Sequence, residues 1–135
     1  MPPVVLLYLA TVPVFFLIDL VWLGVIARGF YREQMGSLMV DPIGWPAAIV
    51  FYLLWVGGLI LFAVEPSLGD GGWLRALLLG AAFGFITYAT YDLTNLATLR
   101  DWPLTLVVVD IAWGTVLGAT VATASHLIGR NVLGM

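Results

Sequence analysis

The sequence predicts an all-α polytopic membrane protein, four transmembrane helices in an up-down bundle with almost no soluble part. Two observations carry this expectation. Of 135 residues, 62% are hydrophobic and only 10% charged, with a mean hydropathy of +1.07. Soluble domains usually hold about 25% charged residues, so this chain has too little polar surface to coat a globule, and lipid is its solvent. Most of the charged residues and turn formers also fall between four apolar runs, each near the ~20 residues that carry a helix across a ~30 Å hydrocarbon core. The runs are continuously apolar, without the alternation of barrel strands.

The first helix is expected over about residues 4–27. Its start, Met1-Pro2-Pro3, has no basic region and its apolar stretch contains Asp19, so it reads as a retained helix and not as a cleaved signal peptide. Pro13 is expected to kink it locally. A linker over about residues 28–44 follows, whose Phe30, Tyr31, Met35, Leu38 and Met39 suit the membrane surface. Asp41-Pro42-Ile43-Gly44-Trp45-Pro46 reads as a turn opening the second helix, about residues 46–64, and Glu65-Pro66 as its end. The third helix is expected over about 73–99 and the fourth over about 103–128. Arg100-Asp101-Trp102-Pro103 makes the hairpin between them, with Asp101 as N-cap. Short connections make the last three helices sequential antiparallel neighbours in a single transmembrane domain. Trp45, Trp73 and Trp102 fall at helix ends, where aromatic belts form.

Let side A be the face that holds the N-terminus and side B the opposite one. Asp19, Asp92 and Asp110 all lie inside predicted spans, where a carboxylate costs about 2.5–3.5 kcal/mol on the insertion scale and rarely faces lipid. Counting along the alternating helices puts all three in the side-B half, roughly 5–10 Å from the midplane at 1.5 Å per residue. Each has a polar or small-residue face around it. Gly80, Gly84, Tyr88, Asp92 and Asn95 follow one stripe, widened by Thr87, Thr90, Tyr91, Thr94 and Thr98. Asp110, Gly114 and Gly118 share a face with Trp113 one turn away, Trp22 follows Asp19 at the same Asp-x-x-Trp spacing, and Tyr52 reaches a similar depth. The candidate ligand-binding set is therefore Asp19, Trp22, Tyr52, Tyr88, Tyr91, Asp92, Asn95, Asp110 and Trp113. The bland alternatives are packing for the Gly-x-x-x-Gly pairs and interhelical hydrogen bonding for the polar residues. Three carboxylates at one depth, with no basic residue at that depth in any span, favour a polar cavity.

Other chemistries lack their residues. Cysteine is absent, His126 is the lone histidine and is expected near side A as an interfacial residue, and no Ser-His-Asp set, H-E-x-x-H or phosphate loop occurs. No metal site or cofactor is expected. The net charge of −3 does not suggest nucleic acid.

The stretch from Gly80 through Tyr91-Asp92-Leu93-Thr94-Asn95 to Trp102-Pro103 resembles the central signature of a family of small bacterial inner-membrane proteins of unknown function. Asp19-Leu20-Val21-Trp22, Phe51-Tyr52 with Gly57-Gly58, and Asp110-Ile111-Ala112-Trp113-Gly114 resemble its other recurring blocks. The resemblance implies four helices and a bacterial inner-membrane location, and brings no activity. Three functional readings stand open. The leading one is a binding or transport protein whose carboxylate-lined cavity takes a proton, a small cation or the cationic head of an amphiphile. The others are an enzyme or enzyme subunit acting on a lipid or isoprenoid, and a structural or assembly subunit, with the bilayer and a second copy or membrane-complex subunit as partners.

Arg28, Arg32 and Arg100 fall on side B and Arg75 and Arg130 on side A, so the positive-inside rule sets side B toward the cytoplasm. Both termini are then expected in the periplasm. A reporter that is active only in the cytoplasm, fused after Met135, should stay silent; a strong signal would reverse the orientation.

Overall fold

A computed structural model describes residues 1–40 and 43–135 of the chain. The turn expected at Asp41-Pro42 lies outside the described residues. Helix α1 (Pro3–Val21) opens on Pro3, at a position where no backbone N–H is required. It runs through Pro13 and continues as a widened π-helical turn, Trp22–Ile26. The linker is largely helical, with α2 (Arg28–Met35) followed by a short 3-10 turn, Gly36–Leu38. Helix α3 (Trp45–Leu59) leads through a second π-helical turn, Ile60–Val64, into α4 (Glu65–Gly69). The long helices α5 (Gly72–Thr98) and α6 (Leu104–Asn131) complete the chain. Four stretches among the described residues are long and apolar enough to cross a membrane: Pro3–Ile26, Trp45–Gly69, Gly72–Thr98 and Leu104–Asn131.

The closest seam lies between α5 and α6. Gly80 and Gly84 on α5 meet Gly114 and Gly118 on α6 so tightly that a methyl group on any of the four would strike the facing helix. A Cβ at Gly84 would fall on the Gly114 carbonyl oxygen, and one at Gly114 on the Tyr88 ring. Without a hydrophobic drive between helices in lipid, such backbone approach supplies the dispersion contact that holds them together. Helix α1 packs along α6 and against α3. The second span does not pack on the seam along its whole length. Its far part, Ile60–Val64 and α4, packs on α5 and α6, whereas α3 makes its main contact with α1. The apolar core accordingly collects at the converged end, around Leu7, Leu59, Val64, Leu117 and Val121.

Several local expectations need correction. Glu65-Pro66 does not end the second span, which continues to Gly69. The π-helical turn resets the hydrogen-bond register, so Pro66 sits in the first turn of α4, where its missing N–H leaves nothing unpaired. Asp101 does not cap α6: it takes a left-handed conformation (φ 59°), which Asp tolerates better than most residues, and Pro103 precedes the helix without a side-chain cap. Trp45 and Trp73 are exposed at helix ends, but Trp102 is buried against Leu106 and Val107, with Phe30, Tyr31 and Met35 of α2 over them. His126 is buried and not interfacial. Its Nδ1 meets the Ser67 hydroxyl at 2.8 Å, and Ser67 donates to the Val64 carbonyl at 2.6 Å, so the ring serves as an interhelical hydrogen bond between α4 and α6. Thr11 and Ser125 make a similar 2.8 Å bridge between α1 and α6.

The glycine seam gives a direct test. Gly84→Ala forces α5 and α6 apart and should lower stability by about 1–3 kcal/mol, the usual range for overpacking. Gly29→Ala, where an added Cβ meets nothing within 4 Å, should leave stability unchanged or slightly raised. Thermal unfolding of both variants in one detergent measures the difference.

Candidate functional site

At the side-B end, where α3 stands away from α5 and α6, the bundle encloses a cavity of about 450 Å³. The three intramembrane aspartates all line it, one each from α1, α5 and α6, and all are buried. Their placement follows from their helices. Each carboxylate lies on the face its helix turns inward, because the alternative is hydrocarbon. Tyr52, Tyr88, Tyr91 and Trp113 line the same space. Seven of the nine residues singled out from the sequence are therefore brought together. The other two stand aside. Trp22 is not part of the wall but stacks on Trp113, ring centroids 4.3 Å apart and nearly parallel at 7°. Asn95, half-buried about one turn beyond Asp92, does not line the cavity.

The carboxylates differ in what holds them. Asp19 Oδ1 accepts a 3.2 Å bond from the Trp113 indole N–H. Asp110 Oδ1 accepts a 2.6 Å bond from the Tyr31 hydroxyl, which itself accepts from the Trp22 indole N–H at 3.1 Å. These bonds and the Trp22–Trp113 stack join α1, α2 and α6 into one polar-aromatic frame. Asp92 lies beside Asp110, close enough for the two carboxyls to share a proton, is fully buried, and receives no N–H or hydroxyl donor on either oxygen. The Trp102 indole N–H, on the same cavity wall, is likewise buried and unpartnered. The cavity thus holds two orphaned acceptors and one orphaned donor, against the general rule that buried polar groups are paired.

No arginine lines the cavity. Arg75 and Arg130 are bound to backbone carbonyls at the other end of the bundle: Arg75 to Pro66 and Asp70, Arg130 to Leu68 and Met135. Among the described residues, no three His, Cys, Asp or Glu side chains converge closely enough to hold a metal ion. The cavity is an acidic, aromatic-walled space with no basic side chain in its wall.

Sequence reasoning missed α2 and the hairpin as parts of this site. Tyr31 and Met35, assigned to the membrane surface, form its side-B wall, and Trp102 closes the corner with a T-shaped contact to Tyr91, centroids 5.9 Å apart. The signal for α2 was present, since Tyr31 and Met35 share a helical face at i, i+4.

A model of a family described as a predicted membrane protein (DUF2177) matches residues 4–127. The chain belongs to that family. Every residue that lines the cavity falls within the matched stretch, so the site is built from the part of the chain that defines DUF2177. No curated protein and no solved structure matches the chain. As a DUF2177 member with four spans, it is a multi-pass integral membrane protein.

Tyr31, outside the spans, offers a pH test of the frame. Burial, then the neighbouring Asp110 charge and its hydrogen bond, push the phenol above its usual 10.0. The folded-state value lies above the unfolded one. The contribution of Tyr31 to stability is therefore complete below about pH 10 and lost as the pH rises beyond it. Tyr31→Phe should reduce stability at neutral pH by about 1–3 kcal/mol, since the Asp110 carboxylate loses its donor. It should also flatten the alkaline fall. Unfolding followed from neutral to alkaline pH in both proteins measures this.

Proposed function

We propose that this protein binds an organic cation within the bilayer, as a carrier or transporter does, with Asp92 as the anchoring carboxylate and Asp110 and Asp19 completing the negative field. One observation carries the reading: Asp92 is fully buried, lines a cavity large enough for a small molecule, and has both oxygens unpartnered. An aspartate used only as interhelical glue would be bonded to a neighbouring helix, as Asp19 and Asp110 are. A carboxylate without internal counter-charge in low dielectric must take its compensation from outside the chain, as a proton or as a bound cation. The two compete for one site, so cation binding releases protons and acid releases the cation.

The walls support an organic cation. Tyr88, Tyr91 and Trp113 line the cavity together with the carboxylates, and cation–π attraction strengthens when the cation is desolvated. The volume falls in the usual range of small-molecule sites, roughly 300–1,000 Å³. The resemblance noted above supports a bacterial inner-membrane location.

Asp92→Asn keeps the shape and removes the charge. Because the native carboxylate is unpartnered, the variant should unfold at the same temperature as the native protein or higher. It should bind neither ethylamine nor dodecylamine, at least one of which the native protein binds. Calorimetric titration in nanodiscs of zwitterionic lipid, with thermal unfolding of the same samples, gives both readings. A destabilised Asp92→Asn variant, or one that still binds, would overturn the proposal.

A further inference from the structure

Resting on that reading, we infer that the ligand enters sideways from the bilayer, through a gap between α3 and α5, and is a single-chain amphiphile with a protonated amine and an adjacent oxygen. The first support is the distribution of exposure around the cavity. Among the described residues that line it, only Phe51 on α3 and Tyr91 on α5 are exposed, at 47% and 52%. Both lie within spans, so the part of each that faces away from the cavity meets lipid. The other lining residues are buried or half-buried. The α1–α6 side is sealed by Trp113 bonded to Asp19 and stacked on Trp22. The side-B end is closed by Tyr31 bonded to Asp110 and by buried Trp102. Toward side A, buried Trp55 crosses from α3 to donate a 2.9 Å bond to Thr87 on α5, and its ring rests on Phe83.

The gap has a structural origin. Close contact between the second span and α5 begins only at Ile60–Val64, beyond the Trp55 bridge. On the cavity side of that bridge, α3 offers Ala48, Phe51 and Tyr52 across an unfilled space to Thr87, Tyr88 and Tyr91. A water-soluble cation would have to leave water and cross hydrocarbon to use this entrance, whereas an amphiphile already lies in the leaflet with its chain in lipid.

The orphaned atoms specify the head. Two buried acceptors on Asp92 call for N–H donors, which a protonated primary amine has and a quaternary ammonium lacks. The buried Trp102 N–H calls for an acceptor, which a hydroxyl or ether oxygen beside the amine supplies. A phosphate-bearing lipid head does not fit, because the cavity wall carries three carboxylates and no arginine. The chain then lies across Phe51 and Tyr91 into the bilayer.

The test compares sphinganine, a long-chain amino alcohol, with ethanolamine, which has the same donor and acceptor groups and no chain. Binding is followed by intrinsic tryptophan fluorescence in phosphatidylcholine nanodiscs, with Asp92→Asn as the baseline for non-specific partition. The native protein should bind sphinganine above that baseline and prefer it to ethanolamine by about a hundredfold or more, since the chain remains buried in apolar surroundings. Because the chain has no cysteine, Phe51→Cys supplies a single thiol at the gap. Its modification with a bulky maleimide should lower sphinganine binding by at least about tenfold relative to the same variant before modification. Equal affinity for the two compounds, or binding unmoved by the maleimide, overturns lateral entry while leaving the cation site at Asp92 in place. Failure of both compounds, and of simple amines, to exceed the Asp92→Asn baseline overturns the cation site and lateral entry together.

Discussion

A carboxylate cannot lie comfortably in hydrocarbon, and in this protein three of them have to be put somewhere without an arginine beside them, since Arg75 and Arg130 sit at the other end of the bundle on backbone carbonyls. That constraint fixes how α1, α5 and α6 are rotated about their axes. Generic hydrophobicity could not do so: each span is apolar nearly all round, and lipid tails are as good a solvent for Leu or Val as a neighbouring helix is. The helices turn the faces that carry Asp19, Asp92 and Asp110 toward one another, and the aromatic N–H and O–H groups of Trp113, Tyr31 and Trp22 follow them inward as donors. The side-B end of the interior is therefore organised around polarity, while the converged end keeps an apolar core.

Turning three carboxylates inward draws the helices together only if something else holds them, since like charges repel. The glycine seam does this. Gly80, Gly84, Gly114 and Gly118 bring the backbones of α5 and α6 into contact and so set Asp92 and Asp110 side by side. The second span contributes differently. Its π-helical turn at Ile60–Val64 and α4 are packed hard against the seam, while α3 stands off. The bundle is tight at one end and open at the other, and the open end is where the charges are. Trp55, bridging to Thr87, marks the boundary between the two regimes.

Most of the fold could be read from the sequence because membrane spans are declared by composition over long windows, a signal that survives without knowledge of tertiary contacts. Seven site residues were legible for a related reason. In hydrocarbon an ionisable or hydroxylated side chain must seek the interior, so depth and helical face follow from counting. Where reading failed, a tertiary partner decided the outcome. Tyr31 in a short linker looks interfacial until Asp110 offers its oxygen. Trp102 at a helix end looks like a belt residue until α2 folds over it. His126 near an end looks solvated until Ser67 faces it. Pro66 looks like a terminator until a π-helical turn changes the register before it. Asn95 erred the other way: it shares the Asp92 stripe, but one further turn carries it past the cavity.

The contrast among the three aspartates bears most on function. A fold under no demand but stability would let Asp92 find a donor, as its two neighbours have, or replace it with an apolar residue of similar size. Asp92 instead sits with both oxygens bare beside another carboxyl, with the unpaired Trp102 N–H on the same wall. Each such atom opposes folding by about 1–3 kcal/mol, and together they are a large fraction of the 5–15 kcal/mol that typically separates folded from unfolded protein. The glycine seam and the apolar core at the converged end offset that burden. Tyr31, on the short helix α2, holds Asp110 in place and leaves Asp92 open. The result is a preorganised site whose unmet hydrogen bonds are available to a ligand at no cost of rearrangement, and binding by preorganised groups loses the least free energy to ordering.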